Sequence, residues 1–168
     1  MFKDVLRTRA VIKGILSGVV LLFLDLFTKW LAVKYFVGSY TLIENVLQLK
    51  LSYNPNIAFS LPVPGWIVLA LLPVILYVIT RFFMETFSFS HPATRWSLIL
   101  IFAGALGNGI NRVWPGSVID FISFSFFPSF NLADAYITVG AFLLVVFYGK
   151  IVLHGKGNTN RKPSSTIT

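Results

Sequence analysis

The sequence predicts an all-α integral membrane protein with four transmembrane helices and a small β-element in the first outward-facing loop. Three observations carry this expectation. Of 168 residues, 56% are hydrophobic and only 12% charged, too few to cover a soluble domain of this size. The apolar residues gather in long stretches, and a helix of roughly 20 residues crosses the hydrocarbon core. The basic residues cluster in three places: the N-terminal segment, the connection after the second apolar stretch, and the C-terminal end. With four spans these share one side, which the positive-inside rule makes cytoplasmic.

The first span is expected over 12–35, after Lys3, Arg7, Arg9 and Lys13. Its basic start and short greasy core look like a secretory signal, but no small-residue cleavage pattern follows, and apolar character continues past Asp25 and Lys29. The segment 37–65 is more polar. Within it Leu47-Gln-Leu-Lys-Leu-Ser-Tyr53 alternates with the period of a half-buried strand, and Pro62, Pro64 and Gly65 close it. The second span covers Trp66 to Phe83, with Pro73 tolerated inside it. Arg81, Glu85, His91 and Arg95 mark a short polar connection. The third span is expected over 94–113, where Ala103/Gly107 and Ala105/Gly109 are small residues four apart that allow close helix packing. An outward loop holding Asp120 follows Pro115 and Gly116, and the fourth span is expected over 131–153. Residues 1–155 thus read as one four-helix domain, and 156–168 as a disordered basic cytoplasmic tail.

Composition also narrows the chemistry. Without cysteine there is no disulfide, thiolate metal site or Cys nucleophile, and the two histidines show no metal-ligand spacing. No metal or cofactor is expected. The net charge of +8 is explained by topology and does not imply nucleic acid.

The six acidic residues are conspicuous because a carboxylate near lipid needs a partner or a task. Asp134 follows Asn131-Leu-Ala at the head of the fourth span. Asn131 suits an N-cap there, and an acid in the first turn faces the positive helix end. Asp120 is open to two readings, an interfacial carboxylate paired with Arg112 or a member of a dyad with Asp134. Two carboxyls in a poorly solvated site share a proton, and such a pair can activate water and protonate a peptide carbonyl. Asp25 and Lys29 lie four apart on one helix face as an ion pair. Asn108 and Arg112 are likewise four apart. Arg112 suits a carboxylate or a lipid phosphate, or snorkels to the interface. Asn54 can be read as only a turn residue.

Five ordered blocks resemble the lipoprotein signal peptidases (signal peptidase II), bacterial intramembrane aspartyl proteases. Asp25-Leu-Phe-Thr-Lys29 is similar to D-x-x-T-K, and Asn54-Pro-Asn-Ile-Ala-Phe-Ser60 to N-x-G-A-x-F-S. Gly104-Ala-Leu-Gly-Asn-Gly-Ile-Asn-Arg112 is similar to G-A-x-G-N-x-x-D-R. Gly116-Ser-Val-Ile-Asp-Phe-Ile122 and Phe130-Asn-Leu-Ala-Asp134 are similar to G-x-V-x-D-F-I and F-N-x-A-D. The resemblance covers about residues 12–153. It implies catalytic roles for Asp120 and Asp134, and supporting or substrate-contacting roles for Asp25, Lys29, Asn54, Asn108, Arg112, Asn131 and Ala133. It implies a prolipoprotein substrate whose cysteine already carries diacylglycerol, cut just before that cysteine. A monomer in contact with phospholipid in the bacterial inner membrane is expected, with both termini cytoplasmic and the β-element and active site at the periplasmic face. Two positions depart from the pattern: Asn56 stands where the family has Gly, and Asn111 where it has Asp. The alternative expectation is an inactive relative that binds lipidated polypeptides, or a small ion-conducting bundle.

Overall fold

A computed structural model of the protein describes residues 2–55 and 64–152, with side chains from Arg9 onward. The tail 156–168 and the stretch from Asn56 to Ser60 lie outside the described residues.

Helix α1 (Phe2–Tyr35) is continuous, so it begins about three turns before the expected start of the first span. No proline or glycine interrupts the chain before Gly14, and the basic stretch simply continues the helix. Strands β1 (Ser39–Ile43) and β2 (Leu47–Asn54) form an antiparallel hairpin. Its turn places Asn45 at φ 56°, a left-handed conformation that Asn tolerates better than most residues. Helix α2 (Gly65–Thr86) starts after the extended Pro64 and carries Pro73 inside. Helix α3 (Pro92–Val113) is capped by His91, whose Nδ1 accepts from the Ala93 N–H at 3.1 Å, with Pro92 in the first turn, where no N–H is missed.

The loop expected between the third and fourth spans is instead a second hairpin, β3 (Val118–Phe124) and β4 (Phe127–Phe130). It completes one antiparallel sheet of order β1-β2-β3-β4. The β-element is therefore not confined to the first loop. Val118, Ile119, Asp120 and Phe121 are all buried, so β3 lacks the alternation that marks a half-exposed strand. The two hairpins are also tied at their tips, where Ser125 N–H donates to the Val46 carbonyl at 3.1 Å.

Helix α4 (Leu132–Val146) stops earlier than expected, and a short α5 (Tyr148–Ile151) follows. The turn back buries Ile151 against Phe83, Phe87 and Ala93, and Ser88 N–H donates to the Ile151 carbonyl at 2.6 Å. This aromatic cluster closes the end of the bundle opposite the sheet.

Helix α3 is the centre, packed against α1, α2 and α4. Its small residues are what permit this. A Cβ at Gly104 would collide with the Ala133 carbonyl oxygen and come within 2.8 Å of the Ile137 side chain. The outer faces of α1 and α2 present Ile15, Phe23, Val74 and Tyr77 outward. These two helices are long and apolar enough to cross a membrane, while α4 is apolar but shorter. Trp30, Trp66 and Trp114 are exposed toward the sheet end, where aromatic rings favour the membrane boundary.

The tight α3–α4 contact gives a direct test. Gly104→Ala should lower the thermal midpoint in detergent by about 2–10 °C, the effect of overpacking a close contact in a chain of this size. Gly149→Ala, where an added Cβ meets nothing within 4 Å, should leave it unchanged.

Candidate active site

The head of α4 is built by a capping box. Asn131 Oδ1 accepts the Asp134 N–H at 3.0 Å, and Asp134 Oδ2 accepts the Asn131 N–H at 3.2 Å. Asn131 is 0% exposed, and its remaining donor group reaches further. Its Nδ2 donates to Asp120 Oδ1 at 2.7 Å and to Asn108 Oδ1 at 3.2 Å. One residue therefore binds both aspartates, which come from different elements.

The β2–β3 pairing supplies the second support of Asp120. Ser52 lies opposite Asp120, and Asn54 is two residues further along the same face of β2. Its Nδ2 donates to Asp120 Oδ2 at 3.4 Å. Asp134 is held from α3, with Asn108 Nδ2 donating to its Oδ1 at 2.8 Å.

Asp25 and Lys29 form the expected ion pair at 2.8 Å, but it does not sit at an open boundary: they are 0% and 1% exposed. Lys29 Nζ also donates to Asn108 Oδ1 at 2.9 Å, and Asp25 Oδ1 accepts the Ala133 N–H at 2.9 Å. The pair thus joins α1 both to the amide behind Asp134 and to the first turn of α4. Gly107 makes the room, since a Cβ there would collide with the Asp25 carboxylate. Arg112 donates Nη1 to the Asn108 carbonyl at 3.3 Å and lines the same cavity as the two aspartates.

That cavity has a volume of about 850 Å³. Asn54, Asn108, Arg112, Asp120 and Asp134 form its polar end. The rest is apolar, walled by Val68 and Leu72 of α2, Phe124 and Phe127 of the sheet, and Ile137 and Val139 of α4. Asp120 is 3% exposed, and burial, reinforced by the neighbouring Asp134 charge, pushes its carboxyl up to about 6. The hydrogen bonds from Asn131 and Asn54 and the charge of Lys29 oppose the shift without cancelling it. Among the described residues, no cluster of three or more His, Asp or Glu is arranged to hold a metal.

The family described as "Signal peptidase (SPase) II" matches this chain over residues 17–149. The chain belongs to the signal peptidase II family. Similar relatives include the "Lipoprotein signal peptidase" of Caldanaerobacter subterraneus subsp. tengcongensis, 37% identical over 135 residues, covering 77% of this chain and 92% of the relative. That of Chlorobium phaeobacteroides is 33% identical over 151 residues, covering 80% and 94%. A solved bacterial membrane enzyme has a TM-score of 0.71 and 26% identity, covering 92% of this chain and 94% of its own. A second has a TM-score of 0.70 and 28% identity, covering 82% and 93%.

Sequence reasoning passed over what Asn111 does in this signal peptidase II chain. It is buried, and its Oδ1 accepts the Ile119 N–H at 3.4 Å, one residue before Asp120. Its backbone carbonyl accepts the Gly116 N–H at 3.0 Å. A neutral amide thus fills the position with an acceptor. Its departure from the Asp of the resembled motif, directly before Arg112, was the available signal.

Asp120 links stability to pH with a definite sign. Its folded-state carboxyl, at about 6, lies above the ordinary 3.8, so protonation favours the fold. That contribution is complete below 3.8 and lost as the pH rises through about 6. Asp120→Asn should therefore be more heat-stable than the parent above pH 6, by up to about 3 kcal/mol, with the gap closing toward pH 4. Thermal unfolding in detergent across this range measures it. A gap that does not depend on pH would contradict the burial of an ionisable Asp120.

Proposed function

We propose that this chain is an aspartyl endopeptidase that removes the signal peptide from diacylglyceryl-modified bacterial prolipoproteins, cutting just before the lipidated cysteine. The observation that carries the mechanism is Asn131 bonded to both Asp120 and Asp134 at the polar end of an otherwise apolar cavity. The relatives' shared name, lipoprotein signal peptidase, supports the substrate.

The chemistry follows from the environments of the two acids. Asp120, desolvated and beside another carboxylate, carries the shared proton. Asp134 faces N–H donors from Asn108 and Asn131 at the positive end of α4 and acts as the base. It takes a proton from water as the oxygen attacks the scissile carbonyl carbon. Asp120 gives its proton to the carbonyl oxygen, forming a neutral tetrahedral diol. Asp134 then protonates the leaving amine of the cysteine while Asp120 recovers a proton from the diol, and the C–N bond breaks. The signal peptide leaves with the new carboxyl group. The dyad returns to its starting state without a cofactor.

The apolar cavity suits a substrate that keeps acyl chains in lipid while its peptide bond meets the acids. In this reading α1 to α4 all cross the bacterial inner membrane, with α5 completing the last crossing. The termini are cytoplasmic, following the basic residues, and the sheet with the acids is periplasmic. Residues 1–155 act as one peptidase domain with 156–168 as its cytoplasmic tail. The enzyme works as a monomer in contact with phospholipid. Asn54, Asn108 and Arg112 contact or orient substrate at the cavity's polar end, and Asp25, Lys29, Asn131 and Ala133 hold the framework.

Purified protein should cleave a diacylglyceryl-modified precursor in detergent or vesicles. Asp120→Asn and Asp134→Asn should each lose at least about 10²–10⁴-fold in kcat while still binding it. Processing at the parental rate by either variant would remove that acid from the mechanism. For the parent, kcat/KM should fall as the pH rises through about 6, because the free enzyme then loses the Asp120 proton. A profile with no group near that value would contradict the assignment of the acid.

A further inference from the structure

The hydrogen bonds behind the dyad have a direction, and the direction originates at Lys29. An amide can present either end to a carboxyl: its NH₂ to an ionised oxygen, or its carbonyl to a protonated one. Which end Asn108 presents to Asp134 sets whether Asp134 meets a donor or an acceptor there. An ammonium has donors only. Lys29 Nζ lies 2.9 Å from Asn108 Oδ1, so that oxygen must face α1, and Nδ2 is left to point at Asp134, 2.8 Å away.

A second donor enforces the same choice. Asn131 Oδ1 is committed to the Asp134 N–H at 3.0 Å, so its Nδ2 must face outward. One contact of that Nδ2 is Asn108 Oδ1 at 3.2 Å. Asn108 Oδ1 therefore receives two donors, neither of which can reverse. Burying Lys29 in this place is costly, and Asp25 meets the cost with an ion pair at 2.8 Å. Asp25 is itself fixed by the Ala133 N–H.

We infer that Lys29, held by Asp25, is a positioning residue that locks the Asn108 amide with its donor toward Asp134. This rests on the aspartyl reading and adds the device that fixes the partner of one of the two acids. Without Lys29, Asn108 can turn over and present its carbonyl to Asp134, which then loses that donor.

The informative variant is Asp25→Asn/Lys29→Met. It removes the charge pair together, so no lone charge is buried, and the new amide can still accept the Ala133 N–H. The expected result is a kcat reduced about 10–100-fold, the size of a lost charge-assisted orientation, with KM within about twofold of the parent. The limb of kcat/KM near pH 6 should move, because the Asp134 charge that acts on Asp120 is then held differently. Lys29→Arg, also donor-only, should recover most of the rate.

Parental kcat and an unmoved pH limb in a folded double variant would overturn the inference. Should the double variant fail to fold, Asn108→Asp decides. It keeps an acceptor for Lys29 but replaces the donor to Asp134 with an acceptor. It should lose at least about 100-fold in kcat, and a parental rate and pH profile would overturn the inference. The two readings separate cleanly. If Asp120→Asn and Asp134→Asn remain active, the aspartyl mechanism fails; if they are inactive while the Lys29 and Asn108 variants behave as the parent, only the locking role fails.

Discussion

Asn131 holds two acids in one desolvated corner, and every polar atom it owns is used in doing so. Its N–H and Oδ1 close the capping box with Asp134, its Nδ2 serves Asp120 and Asn108, and its carbonyl accepts the Ala135 N–H. A capping box usually just satisfies the free donors of a first turn. Here the acid that completes the box is also a member of the proposed dyad. The start of α4, the approach of the two carboxyls and the fixed orientation of the site are therefore one structural event. A shorter or apolar residue at 131 would undo all three together.

The sheet exists to deliver the other half of this corner. A carboxylate on a free loop would turn toward water and keep its ordinary acidity. Asp120 is prevented from doing so by lying within β3, with β2 paired on one side and β4 on the other. Pairing with β2 brings Asn54 within reach, and β4 leads directly into Asn131. The connections between helices thus become a floor on which a desolvated acid is held still. Burial raises its proton affinity to a range in which it can act as an acid near neutral pH.

What could be read from the sequence follows from how local each signal is. The helices were legible because apolar runs are local, although α4 is shorter than the span expected there, and β2 was legible because it alternates. β3 was not, because a strand covered on both faces reads as a plain apolar run. The end of α4 was not legible either: Leu143-Leu-Val-Val-Phe147 contains no breaker, and Ile151 docks on Phe87, just past the end of α2 and distant in the chain. At the site, the role of Asn131 as a cap was visible from its place before an apolar run. Its bond to Asp120 and the approach of Lys29 to Asn108 were not, since the latter pair is 79 residues apart and no pattern within either helix encodes it. Gly107 illustrates the same limit. Its spacing suggested close packing, but only the fold reveals that the neighbour it admits is the Asp25 carboxylate.

Asn111 shows how charge is rationed in such a corner. The motif this chain resembles has a carboxylate at that position. In this structure the position is buried and hydrogen-bonded to the Ile119 N–H, beside Asp120. That bond needs only an acceptor, and an amide oxygen supplies one. A further negative charge there would add to the repulsion that Asp134 already exerts on Asp120. It would demand compensation from the cations nearby, of which Lys29 is already engaged with Asp25 and Asn108. With a neutral residue at 111, the anchoring of β3 is kept and that load is removed. Asn at 111 is thus compatible with the proposed dyad on electrostatic grounds, because the geometric task there needs an acceptor and no charge.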